Sequence, residues 1–150
     1  MTAAASVLVC AIELLGRSPR TLPPIEIVEF RPPDVSVNAE AFVRYGSGTI
    51  SVVASAPAYR DADCYDRRSM LKLASILAHE ECHVRHGPDE RRCYEAQLGA
   101  LTRLGVAPDS GLYVGVVRAM SFVLKAQANA ARVATRVKQE GSLASADRDP

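Results

Sequence analysis

Residues 73–98 read LASILAHEECHVRHGPDERRCYEAQL, and they hold all three histidines of the 150-residue chain: His79, His83 and His86. Within them His79-Glu80-Glu81-Cys82-His83 fits the pattern H-E-x-x-H. On an α-helix, side chains four positions apart leave the same face one turn apart, so His79 and His83 can reach one metal ion. Imidazole nitrogen is a favoured zinc ligand. Glu80 emerges beside the first ligand, where it can take a proton from a zinc-activated water and later hand it to a leaving amine. Two ligands and one base on a rigid rod is what the motif requires, so the reading depends on a helix at this place.

The flanking sequence supports that helix. Asp63 is a suitable N-cap for a helix from about Cys64 to His86. Wound at 100° per residue, its apolar side chains cover most of the circumference and leave one narrow polar arc of Lys72, Ser75, His79, His83 and His86. A helix apolar nearly all round is buried, and its polar arc faces something other than plain solvent. Gly87 suits a C-cap and Pro88 a first turn, so a second helix should run from about Asp89 to Leu104. After GVAPDS, Asp109 or Ser110 caps a long helix to about Lys138, and QEGSLASADRDP (139–150) reads as a flexible C-terminal tail. Upstream, a first helix spans about Ala3 to Leu15 and stops at Gly16, and RSPRTLPP is a connector. IEIVEF alternates as a strand, while AFVRY and TISVVAS flank Gly46-Ser47-Gly48 as a hairpin. The expected architecture is α+β in one domain, residues 1–138. A short antiparallel sheet packs on the buried H-E-x-x-H helix, and two further helices follow.

ILAHEECH resembles the active-site helix of zincin metallopeptidases, and the preceding hairpin resembles the strands that zincins set beside it. The next helix, with Glu95 in CYEAQL, is similar to the glutamate-bearing helix of the gluzincin branch, and in particular of small bacterial zincin-like proteins without an assigned substrate. The likeness covers about residues 50 to 98. It implies a zinc-dependent metallopeptidase with one Zn²⁺ per chain, a peptide or protein substrate, and Glu80 as general base and then general acid. An edge strand, Thr49–Ser55, would hold the extended peptide by strand addition.

A catalytic zinc takes three protein ligands and keeps a position open. Glu95 is the first choice for the third, because an antiparallel helix after Gly87-Pro88 carries it back to the level of His79 and His83. Its spacing from His83 is short for a gluzincin. Asp89 is the alternative, ten residues after His79 as in the metzincin branch, although that branch wants glycine where His86 stands. Asp89 can instead cap the new helix. His86 is a further candidate as ligand or outer hydrogen-bond donor. Tyr59, Tyr94 and Tyr113 are candidates to donate to the transition-state oxyanion, with nothing in the sequence to separate them.

The formal charge of +1 excludes the strongly basic face that nucleic-acid binding needs. No apolar run reaches the length of a membrane span. MTAAASVLVCAIELLG lacks a basic start and is closed by Glu13 where a cleavage site should come, so it reads as a helix rather than a signal sequence. That favours the cytoplasm, with a secreted or periplasmic site if a longer precursor is trimmed. Among Cys10, Cys64, Cys82 and Cys93, the pair Cys82 and Cys93 lies symmetrically about Gly87-Pro88. It suits a bridge in an oxidising compartment and two buried thiols in a reducing one. The alternative function is a catalytically inactive zinc-binding or protein-interaction module on the same fold, with helices 89–138 as an interaction surface in a third reading. Oligomeric state is not legible.

Overall fold

The structure is a computed structural model that describes residues 3–44 and 46–146, with side chains described for 7–44 and 46–138. At its centre lies a 20-residue helix, α3 (Arg67–His86), preceded in the chain by α1 (Ala3–Leu14), β1 (Ile25–Val28), β2 (Ala41–Val43), β3 (Ile50–Val53) and the short α2 (Pro57–Arg60). It is followed by α4 (Glu90–Arg103) and α5 (Gly111–Ala146).

Helix α3 starts three residues later than expected. Asp66, not Asp63, is its N-cap: the Asp66 carboxylate accepts from the backbone N–H of Arg68 at 3.2 Å and of Ser69 at 3.0 Å. Asp63 instead accepts from Tyr65 N–H in the turn before it. At the other end Gly87 adopts φ +77°, which a residue with a Cβ resists, and its N–H donates to the His83 carbonyl. Between these ends Met70, Leu73, Ala74 and Leu77 are buried against Leu8, Ala11 and Ile12 of α1 and Ile50 and Val52 of β3. Fully burying a leucine such as Leu73 or Leu77 contributes about 1.5–3 kcal/mol, so this helix is fixed mainly by its apolar faces.

The three-stranded sheet has the order β1-β3-β2 and is mixed, which corrects the expected antiparallel sheet. β2 and β3 form the expected hairpin, with Phe42 opposite Ser51, but β1 runs parallel to β3, with Ile25 opposite Ile50. Alternation identifies a strand but not its direction. Here residues 29–40 carry the chain across the sheet, so β2 lands on the far side of β3 from β1. All of β3 is buried, as suits a strand paired on both sides. The segment Thr49–Ser55 is therefore not an edge; β2 is one edge and β1 the other. Tyr45, in the expected hairpin, lies outside the described residues.

Ser110 caps α5, its Oγ accepting from Tyr113 N–H at 3.2 Å. The helix continues past Lys138 into the stretch expected as a tail, and residues 147–150 lie outside the described residues. No helix among the described residues is long and apolar enough to cross a membrane.

Candidate metal centre

Helices α3 and α4 run back along one another from the Gly87-Pro88 turn, joined by a ladder of contacts between their facing sides. Gln97 Nε2–H donates to Ser75 Oγ at 3.2 Å, and both residues are buried. One turn nearer the turn, the Tyr94 ring meets His79 edge-on, with centroids 4.5 Å apart. A disulfide joins Cys82 to Cys93. Nearest the turn, Glu90 reaches the two imidazoles of the H-E-x-x-H motif. Residues 90, 93, 94 and 97 follow the i, i+3, i+4, i+7 spacing of one helical face, so the face that buries Cys93 and Gln97 also presents Glu90.

Three donor atoms converge. His79 Nε2 and His83 Nε2 are 3.0 Å apart, and Glu90 Oε2 is 3.5 Å from the first and 3.6 Å from the second. A tetrahedral zinc with bonds of about 2.0–2.2 Å would separate its ligand atoms by roughly 3.3–3.6 Å; the two edges to Glu90 have that length, and the edge between the histidines, at 3.0 Å, needs to open slightly. Ligand chemistry fits as well. His83 Nδ1–H donates to the Gly87 carbonyl at 2.9 Å, because a carbonyl can only accept, and this leaves Nε2 free to take a metal ion or a second proton beside Glu90. His79 has no such outer partner, because its Nδ1 is buried with no hydrogen-bond partner. Two facing imidazole nitrogens 3.0 Å apart are reconciled by an N–H of one ring donating to the other or by a metal ion between them.

The electrostatics reflect this crowding. The two imidazoles hold the Glu90 carboxyl down to about 2. Burial alone would lower the His83 pKa, but its bonds to Glu90 and the Gly87 carbonyl and the charges of Glu80 and Glu90 outweigh that and raise it. Glu80 is only 7% exposed, and burial pushes its carboxyl up, as does the Glu90 charge, against the opposing pull of His79 and His83. Burial and the charges of Glu90 and Glu80 raise the Tyr94 phenol, so it remains a hydrogen-bond donor at neutral pH.

All these groups line a cavity of about 1380 Å³ between β2, the facing sides of α3 and α4, and the first turns of α5. Lys72, Ser75, His79 and His83 of the expected polar arc face it, with Glu80; His86 does not. His86 is exposed at the end of α3, its Nε2 3.4 Å from an Arg92 nitrogen. Asp89 is the N-cap of α4, accepting from Arg92 N–H at 3.1 Å. Glu95 is exposed and is not brought to the histidines; among the described residues the group able to hold a metal ion is His79, His83 and Glu90. Five residues along a helix turn the Glu95 side chain about 140° away from Glu90, which is why the expected third ligand does not face the histidines. The missed signal was Cys93: if it faces Cys82, Glu90 three residues earlier shares its face. Of the three tyrosines, Tyr94 lines the cavity and Tyr59 and Tyr113 do not.

No family model matches the chain, and neither a curated protein nor a solved structure matches it.

Proposed function

We propose that the chain is a zinc-dependent metallopeptidase of zincin type. The observation that carries the reading is the His79–His83–Glu90 triangle on the wall of an open cavity, with the buried carboxyl of Glu80 lining the same cavity. A purely structural zinc site closes its coordination with four protein ligands, whereas three donors facing a cavity leave room for substrate. Zinc there would supply Lewis acidity, polarising a carbonyl and bringing the pKa of water to about 7.

The protein's own groups have separable tasks. The outer bond of His83 to the Gly87 carbonyl orients that ring. Glu80, in a desolvated position that favours uptake of a proton, takes one from the attacking water and delivers it to the leaving amine. Tyr94 donates to the developing oxyanion. The β2 edge, Ala41–Val43, lines the cavity and offers its outer backbone groups to an extended peptide, in place of the expected Thr49–Ser55. The Cys10–Cys64 and Cys82–Cys93 bridges support an oxidising compartment as the place of work, rather than the cytoplasm.

The test is to incubate zinc-loaded wild type and Glu80→Gln with an internally quenched peptide library. The expected result is cleavage by wild type and a 10²–10⁴-fold loss in the variant with zinc retained. Equal cleavage by both would remove the mechanism. No cleavage by a fully zinc-loaded wild type would leave the alternative, a zinc-binding module.

A further inference from the structure

We propose that the Cys82–Cys93 disulfide is the positioning element for Glu90, so that the metal centre is complete only in the oxidised protein. This rests on the metal-centre reading above. Cys82 lies inside the H-E-x-x-H motif, and Cys93 lies three residues after Glu90 on the same face of α4. The bond therefore joins the helix that carries both imidazoles to the first turn of the helix that carries the carboxylate.

That first turn needs a clamp. Glu90 is the first residue of α4, and terminal turns are where helices open most readily. Gln97 bonds to Ser75 two turns further on, too far along to fix the terminal turn. Asp89 caps the turn from within α4 and makes no tie to α3. Two weaker contacts lie at the level between them: an exposed Arg92 nitrogen 3.4 Å from His86 Nε2 at the end of α3, and the edge of the Tyr94 ring on His79, neither of which holds a carboxylate in place as a covalent bond does. A ligand set binds tightly only when its donors are held within about 0.5 Å of the bound geometry, and the covalent tie at Cys93 supplies that constraint to Glu90. Both cysteines are buried, so a reductant reaches the bond only slowly while the fold is intact. Cys10–Cys64 ties α1 to the segment before α3 and includes no residue of α3 or α4, which makes it the natural control.

The experiment measures zinc affinity by competition with a chromophoric chelator. It compares wild type, Cys82→Ala/Cys93→Ala, Cys10→Ala/Cys64→Ala, Glu90→Gln, and Glu90→Gln combined with the first pair, with folding checked by circular dichroism. The expected result is at least a tenfold weaker affinity in the 82/93 variant, no change in the 10/64 variant, and no further loss when the 82/93 change is added to Glu90→Gln. An unchanged affinity in the 82/93 variant would overturn the proposal. So would an equal additional loss in the Glu90→Gln background, because the bridge would then act through the histidines or the fold at large. If the double alanine variant does not fold, the same titration is run on Cys10→Ala/Cys64→Ala, whose one remaining bridge is Cys82–Cys93, before and after prolonged reduction by a phosphine and its removal by gel filtration. There the S–S bond breaks, each sulfur gains a proton, and the phosphine leaves as its oxide with oxygen from water. Absence of zinc binding by oxidised wild type would defeat the metal-centre reading itself and this inference with it, and is distinguished from the other outcomes at the first sample.

Discussion

Glu90 is the residue on which the site turns. It meets both His79 and His83, and their hydrogen bonds hold its carboxyl down to about 2. A carboxyl at about 2 in the fold against 4.5 outside it stabilises the native state above pH 4.5 and loses that contribution as pH falls toward 2. His83 works in the opposite sense: its raised pKa adds stability below 6.5 that is lost as pH rises through the raised value. The stability gap between metal-free wild type and Glu90→Gln should therefore be fully open between pH 4.5 and 6.5, closing on the acid side and narrowing on the alkaline side. Urea denaturation in the presence of a chelator checks this, and a gap independent of pH would refute it. Tyr94→Phe should lower kcat by on the order of 10²-fold while zinc is retained, if the phenol donates to the oxyanion. An unchanged kcat would return the choice of donor to groups outside this ring. His79, Glu80 and His83 were legible in the sequence because i and i+4 positions need no knowledge of what the helix packs against. Glu90 was not, because choosing among Asp89, Glu90 and Glu95 requires the rotational phase of α4, and the Cys82–Cys93 contact is what sets it.

At the scale of the element, α3 has to be rigid for two imidazoles to hold their separation. Its start depends on Asp66, which accepts from two backbone N–H groups that would otherwise lack partners. Asp66→Ala should cost about 1 kcal/mol of global stability in urea, with Asp63→Ala closer to neutral for the helix. Equal effects would mean that the helix begins where the sequence first suggested. Both aspartates lie at cap-like positions before the same apolar run, so spacing alone could not choose between them. The decision comes from the turn at residues 63–66, where Asp63 is already engaged with Tyr65 N–H. Sheet direction was hidden for a similar reason. β1 and β2 both alternate or carry apolar residues, but the crossing made by residues 29–40 is a matter of tertiary packing, with Arg31 donating to the Ala39 carbonyl inside it.

For the molecule as a whole, the α+β class and the buried central helix were legible from apolar periodicity, and the long-range tie of α1 was not. Cys10 and Cys64 are 54 residues apart and belong to no recognisable spacing. Their bridge closes a long loop, so Cys10→Ala/Cys64→Ala should lose about 2–4 kcal/mol of stability, read from chemical denaturation. Zinc stoichiometry should stay the same. A loss of zinc in this variant would show that the site depends on the whole α1 packing rather than on α3 and α4. The central claim, a metal centre made by His79, His83 and Glu90, is tested most directly by zinc content. Plasma mass spectrometry on metal-loaded, desalted wild type, Glu90→Ala and Glu95→Ala should find about one zinc per chain in wild type and Glu95→Ala, and a marked loss in Glu90→Ala. Zinc kept by Glu90→Ala and lost by Glu95→Ala, or absent from wild type, would contradict it.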